Sequence, residues 1–446
     1  MSVLTLETLR NCLDGFVPSV IATCDPDGEP NVSMISHVHF VGPDHVALTY
    51  QFFNKTRRNV LATGLASVAV ADPLTFAQYR LALEYIETQT SGPLFEIMKA
   101  KLAGIASHSG MQGIFRLMGA DLYHVRSIDA IIPPLRSAPP SRNLLAAARR
   151  TCAQLVECAE LGDLLDRTLA CLQQHFGIDH SMILMRDEGE KPLYTVASRG
   201  YPFSGIGSEI ALGDGVIGVA AREGVPIRVG HMTSEYAYGT AIRDQARKSG
   251  LSWSETTKID YPGLTSPESQ IALPIHRCGR ILGVLFAESP VPMRFWYDDE
   301  DALALVANNL GSLISLMQSE EVPHEPPAAA RSHSPQSGLI VVRHYPGDNS
   351  IFIGHEYLIK GVAGAILWKL LCEYDGTRRT AFSNRELRLD ATLRLPEFAE
   401  NLEARLVLLR KRLSERSTAI RLEKCGRGRL TLSVSGPIRL ENIRTA

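Results

Sequence analysis

Residues 50–64, YQFFNKTRRNVLATG, decide how the first third of the chain is read. An aromatic strand end runs into Lys55-Thr56 and two arginines, ahead of an Ala/Val/Leu run. A helix starting here gathers an ammonium, a hydroxyl and backbone N–H groups at its N-terminus, the donor set that an anion such as a phosphate requires. Residues 56–59 would supply the amides. The competing reading is a helix start with a solvated face of Lys55, Arg57 and Arg58. The residues alone leave both readings open for Lys55 and Thr56; Arg57 and Arg58 read as solvated charges.

Upstream, PSVIATCDPDGEPNVSMISHVHFVGPDHVALTYQ (18–51) contains β-like runs broken at Asp25-Pro26-Asp27-Gly28 and Gly42-Pro43-Asp44. Such turns between alternating runs are the mark of hairpins in an antiparallel sheet. Downstream, ASVAVADP (66–73) continues the sheet, GPLFEIMKAKLAGIA (92–106) reads as a helix, and ADLYHVRSIDAI (120–131) returns to strand.

In VSMISHVHFV (32–41) followed by HVALTYQFFNKTRRNVLATG (45–64), the chain resembles the FMN-binding split-barrel family, the pyridoxamine 5′-phosphate oxidase-like domains. The resemblance covers most of residues 12–131. It implies that Lys55 and Thr56 hold the FMN phosphate with Asn59 beside them, and that Ser36 and His37 face the isoalloxazine edge. The family also includes oxidases, flavin reductases, haem-handling proteins and empty barrels, so FMN is the implied cofactor and haem the alternative.

At 446 residues the chain exceeds one ordinary core, and length alone suggests about three domains. Composition is that of a soluble globular protein, 45% hydrophobic and 21% charged. The N-terminus has no basic stretch followed by a long apolar core, and no run approaches roughly 18 uninterrupted apolar residues. A cytoplasmic protein with no membrane partner is therefore expected. The eight cysteines are spread without any C-x-x-C pair, as for reduced thiols that pack as small apolar groups.

Two proline-rich stretches, IIPPLRSAPPSRN (131–143) and EVPHEPPAAARSHSPQSG (321–338), cannot continue a helix or ladder and read as linkers. They divide the chain into 1–132, 142–320 and 338–446, with 321–337 as a Pro/Ala/Ser linker. Net charge divides too: residues 338–446 hold 19 Lys+Arg and 12 Asp+Glu, a net of +7, and the rest of the chain carries −9. A basic terminal domain suggests a polyanionic partner.

The middle segment opens with Leu161, Leu164, Leu165, Leu169, Leu172 and Phe176 at helical spacing and closes on Leu303, Val306, Leu310, Leu313 and Met317. Between them stand LGDGVIGVAAREGVPIRVG (212–230), SQIALPIHRCGRILGVLFAES (269–289) and FWYDDEDALALVANNLGSLI (295–314). In these motifs the segment resembles a GAF domain over about residues 142–318. The glycines at 213, 215 and 218 suit a tight turn and close helix–sheet approach. The resemblance implies a small-molecule or dimer-signalling role, with a pocket under residues 231–268 and His231, Tyr236, Tyr238 and Trp253 as candidate ligand contacts. FWYDDED matches part of the cyclic-nucleotide signature, but the Asn-Lys pair that belongs with it is missing. The 303–317 stripe suits either a parallel helix pair in a homodimer or packing on its own sheet; the homodimer is favoured.

The last segment runs strand, strand, strand, helix (362–374), a capping box at Ser383 and Glu386, a helix from Pro396 with Leu402, Leu406, Leu409 and Leu413 as one buried stripe, and a hairpin over 419–434. In LRKRL (409–413) and GRGRL (426–430) it resembles the OmpR/PhoB-type winged helix–turn–helix. The resemblance implies that the 396–413 helix enters the DNA major groove, with Asn401, Arg405, Arg410, Lys411 and Arg412 on or beside it, and that Arg427 and Arg429 reach a minor groove or phosphates. Glu400 and Glu403 depart from the family's usual composition there.

The expected fold class is multidomain α+β: an antiparallel split β-barrel, a GAF α/β sensor domain and a winged helix. The function expected is a one-component transcriptional regulator that senses a flavin redox state or small ligand and binds DNA. The alternatives are a flavin-dependent oxidoreductase with regulatory appendages, or a scaffold whose winged helix binds protein. No nucleophile elbow, Walker loop or H-E-x-x-H is present, so no catalytic or metal-binding residue is named; an enzyme here would be an FMN-dependent oxidoreductase.

Overall fold

A computed structural model describes residues 4–13, 17–35, 37–50, 54–108, 117–187, 191–231, 259–319, 339–393, 402–417, 419–426 and 428–443. The chain is a multidomain α+β protein built on antiparallel sheets, with one parallel pairing near its end.

A short helix α1 (Arg10–Leu13) precedes strands β1 (Ser19–Cys24), β2 (Pro30–Ile35), β3 (Val38–Gly42) and β4 (His45–Tyr50). Helix α2 (Lys55–Thr63) leads into β5 (Leu65–Ala71) and the long β6 (Gln78–Gln89); helix α3 (Pro93–His108) and β7 (Gly119–Ile132) complete the unit. The seven strands are ordered β2-β1-β5-β6-β7-β4-β3. The sequence reading leaves β6 unassigned, although Leu81 and Leu83 alternate into the core as a half-buried strand requires. At the β1–β2 turn Asp25 accepts the Asp27 and Glu29 N–H groups, and Gly28 takes φ +85°, which its missing Cβ permits.

In the middle of the chain, helices α4 (Leu144–Val156) and α5 (Leu161–Phe176) are followed by β8 (His180–Met185), β9 (Leu193–Arg199) and β10 (Glu209–Ile210). Helix α6 (Gly215–Glu223), β11 (Ile227–Val229), β12 (Ser269–Arg277), β13 (Arg280–Ser289) and the long α7 (Tyr297–Ser319) complete it. Its sheet runs β10-β9-β8-β13-β12-β11. The β12–β13 hairpin closes in two residues, Cys278 and Gly279, both at positive φ, as a mirror-image turn requires. A Cβ on Gly218 would lie 2.3 Å from the Ala211 carbonyl oxygen, so helix α6 can approach its loop only because that residue is glycine. Leu303, Val306, Leu310 and Ile314 of α7 are fully buried within the chain, packed with α4 and the sheet. Leu313 and Met317 of the expected stripe are half-buried against the same cluster, so this face packs on its own unit.

The last unit has β14 (Ile340–Tyr345), β15 (Ser350–Ile353) and β16 (Glu356–Ile359), then helix α8 (Gly361–Thr377), β17 (Ala381–Ser383), α9 (Asn384–Leu389) and α10 (Leu402–Arg416). Strands β18 (Ile420–Lys424), β19 (Arg429–Val434) and β20 (Ile438–Asn442) follow. One sheet is ordered β16-β15-β14-β20 and the other β17-β19-β18. The Ser383 box forms as its spacing demands: Ser383 Oγ accepts from Glu386 N, and the Glu386 carboxylate accepts from Ser383 N.

Helix α10 is buried on two sides. Leu402, Leu406, Leu409 and Leu413 face their own unit, and Ala404, Val407 and Leu408 are buried as well. One hydrophobic cluster therefore runs from the middle unit into the last. The sequence reading counts a single stripe; the uninterrupted run Leu406-Val407-Leu408-Leu409 is the signal for the second.

Candidate functional site

Asn54 caps α2: its side chain accepts from Arg57 N at 3.0 Å, and its carbonyl takes the Arg58 N–H. This corrects the amide supply expected from residues 56–59. The first-turn amides left without an intrahelical acceptor are those of Lys55 and Thr56. Lys55 Nζ lies 2.7 Å from Glu29 Oε1, with the lysine 37% and the glutamate 69% exposed. Thr56 Oγ1 accepts from Asn31 Nδ2 at 2.8 Å, which frees its own hydroxyl proton to donate outward. An ammonium, a hydroxyl donor and two amides at a nine-residue helix N-terminus fit a phosphate monoester once the exposed Glu29 swings away.

The other candidates of the first unit fall elsewhere. Asn59 is buried and donates to Thr23 Oγ1 at 3.3 Å, fastening the helix to β1 rather than facing an anion. His37 is half-buried with its ring 5.9 Å from that of His39. Ser36 lies outside the described residues.

Arg57, expected as a solvated charge, is the best-anchored cation of the unit. Its side chain is 10% exposed and its partner Asp121 6%. Nη1 donates to both Asp121 oxygens, Nη2 donates to Thr88 Oγ1 at 3.0 Å, and Thr88 donates to Asp121 at 2.5 Å. Burial, and then the Asp121 charge, push the neighbouring Tyr123 phenol far above its usual range. The helix periodicity places Arg57 two positions from Lys55 and so on another face.

Where the first unit meets the middle one, Arg10 lies over the Tyr297 ring at 4.0 Å and contacts Asp301 at 3.3 Å. Glu300 pairs with Arg228 at 3.0 Å; burial pushes its carboxyl up, but Lys101 and Arg228 hold it below the usual carboxylate value. His39 is held down at about 3, first by burial and then by Lys101 and His37. Asp299 takes Arg142 Nη2 at 2.6 Å, Arg294 Nη1 at 3.4 Å and the Trp296 N–H at 3.0 Å. Asp299, Glu300 and Asp301 of FWYDDED therefore act as anchors.

Of the candidate sensor contacts, His231 is 67% exposed and stands 3.8 Å from Glu268, whereas Tyr236, Tyr238 and Trp253 lie outside the described residues. The structure gathers a different polar group. His180, Glu288 and Gln270 sit in register across β8, β13 and β12. Buried Glu288 accepts from Leu264 N at 2.7 Å and Gln270 Nε2 at 3.0 Å. Burial pushes its carboxyl up despite these bonds. The Tyr201 ring lies 5.5 Å from His180, whose Nδ1 is buried with no hydrogen-bond partner among the described residues. Glutamine and glutamate inside the apolar strand ends SQIALPI and VLFAES were the legible signal.

Three of the expected DNA-facing cations, Arg405, Lys411 and Arg412, turn inward. Arg405 pairs with Asp187 and lies over the Tyr194 ring at 3.5 Å. Lys411 Nζ is 2.6 Å from Asp166 and 3.2 Å from the Val196 carbonyl oxygen. Arg412 is buried, its Nε donating to the Leu358 carbonyl at 3.1 Å. Arg410 and Arg429 are half-buried; Asn401 and Arg427 lie outside the described residues. Glu403 accepts from Asn384 Nδ2 within its own unit.

Residues 158–315 match the GAF domain family model, so the middle unit is a GAF domain. No match was found among curated proteins. Among solved structures the chain is similar to the GAF domain of an Acinetobacter phosphoenolpyruvate-protein phosphotransferase, at 19% identity over 41% of this chain and 99% of that one, TM-score 0.31. It is also similar to an FMN-binding protein from Syntrophomonas wolfei (18% identity, 29% and 86% covered, TM-score 0.25) and to HupZ from Group A Streptococcus (22% identity, 30% and 100% covered, TM-score 0.23). Among the described residues no helix is long and apolar enough to cross a membrane, and no group of three His, Cys, Asp or Glu is placed to hold a metal ion.

Proposed function

We propose that the chain is a one-component transcriptional regulator: the GAF domain senses a small ligand, the barrel holds FMN, and the last unit binds DNA as a winged helix. The observation that carries this reading is the seating of basic helix α10 directly on the GAF domain through Arg405–Asp187 and Lys411–Asp166. A sensor in contact with an output helix can bias it without any intervening segment. The order of three strands, three helices and a β18–β19 hairpin paired to β17 supports the winged-helix reading.

Lys55, Thr56 and the two free amides would hold the FMN phosphate, with Asn31 orienting the Thr56 hydroxyl. Bound FMN would supply a redox-active isoalloxazine ring. The buried row Glu288, Gln270 and His180 would orient the GAF ligand. Leu305 and Leu316 are the exposed leucines of α7, and with Leu145 of α4 they favour a homodimer through that outer face.

Absorption spectroscopy of the purified chain titrated with FMN tests the cofactor. A visible flavin band is expected, and Lys55→Ala should weaken retention on the order of tenfold, far more than Arg58→Ala. Equal effects would reduce the cradle to a diffuse basic face. Light scattering on a sizing column should give twice the chain mass, falling to one with Leu305→Glu and Leu316→Glu. Salt-dependent binding of a DNA duplex tests the output.

A further inference from the structure

Four cations of the last unit that face the GAF domain each meet a carboxylate. Arg405 meets Asp187 and Lys411 meets Asp166; Lys424 Nζ stands 3.6 Å from Glu160 and Lys360 Nζ 3.0 Å from Glu209. All four cations belong to the +7 unit and all four carboxylates to the GAF domain. Apolar contact fills the space between: a Cβ on Gly162 would lie 3.8 Å from Val407, and one on Gly207 would lie 3.5 Å from Leu408.

A carboxylate offers a cation the same geometry of acceptor oxygens as a backbone phosphate. We infer that Asp187, Asp166, Glu160 and Glu209 of the GAF domain occupy the polyanion-binding face of the last unit, so that docking on the sensor and binding of duplex DNA exclude each other. This deepens the proposed function and rests on its DNA-binding reading.

Two features mark the contact as separable. First, its polar groups are incompletely satisfied: Arg405 Nε and the Tyr194 hydroxyl are buried without a hydrogen-bond partner among the described residues. Separation returns both to water, which lowers what the contact is worth relative to a fully paired core. Second, the face is bifunctional in composition. Arg405, Lys411 and Lys424 suit phosphates or guanine, and Val407 and Leu408 suit thymine methyl groups. Arg412 is the exception: its bond to Leu358 and its position 3.6 Å from Glu415 lie within its own unit, so it stays behind when the face opens.

A GAF ligand then acts through its differential affinity for the docked and undocked forms, and DNA and that ligand are coupled reciprocally.

The test uses the full chain and a fluorescein-labelled random-sequence DNA duplex, followed by anisotropy at low and moderate salt. The Asp166→Asn, Asp187→Asn double variant should bind on the order of tenfold tighter than wild type or more, with a steeper loss of affinity as salt rises. Equal affinities would overturn the occlusion while leaving DNA binding intact. No binding by either protein, with carbodiimide labelling of Glu160 raised in the variant, would show an open face that DNA ignores and sink both readings. Wild type supplies an arm free of folding artefacts: labelling of Asp187 should rise when DNA is added at saturating concentration. Unchanged labelling with DNA bound would overturn the competition.

Discussion

Helices α2 and α10 both carry clustered cations, and they use them in opposite ways. In α2 the buried guanidinium of Arg57 answers Asp121 of β7, within one sheet-bound unit. In α10, Arg405 and Lys411 answer Asp187 and Asp166 across a boundary between units. The first pair cannot separate without unfolding the first unit, whereas the second separates whenever the units part. A buried ion pair inside a unit is thus a structural commitment, and one between units is a conditional occupancy.

The largest effect should come from breaking the first kind. Arg57→Ala leaves Asp121 buried without its cation and should cost the first unit about 3–5 kcal/mol, read as a lower denaturant midpoint. Replacing both, Arg57→Met with Asp121→Leu, should cost less than either single change. Arg405→Ala should cost less than half as much, because undocking returns Asp187 to water; a loss as large as that of Arg57→Ala would erase the distinction.

The boundary between the first unit and the GAF domain sharpens the comparison through pH. His39 is held at about 3 by burial, with Lys101 and His37 adding to it, against an unfolded value of about 6.5. Below pH 6.5 the unfolded chain takes up a proton that the folded chain refuses. Stability from this group is therefore complete above pH 6.5 and is lost as pH falls toward 3. The loss should reach no more than about 2 kcal/mol by pH 5, with a slope of at most about 1.4 kcal/mol per pH unit. His39→Gln should flatten that limb of the pH–stability curve; an unchanged limb would place the sensitivity elsewhere.

The smallest effect serves as the control. Ser383→Ala removes one half of the capping box and should cost the last unit about 1 kcal/mol without changing its docking on the GAF domain. If labelling of Asp187 also rose in this variant, fold stability and docking would not be separable.

Much of the architecture was legible because it rests on local chemistry. Cys278-Gly279 between two apolar runs specifies a hairpin, Gly218 specifies a close helix approach, and Ser383 with Glu386 specifies a helix start. The sites were less legible. Glu288 and Gln270 carry a buried polar row that nearest-neighbour patterns do not announce, since a strand's in/out alternation does not reveal which other strands lie beside it.

By itself, the sequence determined the hairpin at Cys278-Gly279, the helix start at Ser383, that the last unit is basic, and that Lys55 and Thr56 stand at a helix N-terminus. Only the tertiary structure decided which charges are spent. Arg57 is consumed because β6 and β7 bring Thr88 and Asp121 to it from outside its helix, and Arg405 and Lys411 are covered because the GAF domain lays carboxylates and an aromatic ring against them. A side chain's charge is a property of the residue, but its desolvation and its partner are properties of whatever packs against it, and those neighbours are distant in the chain.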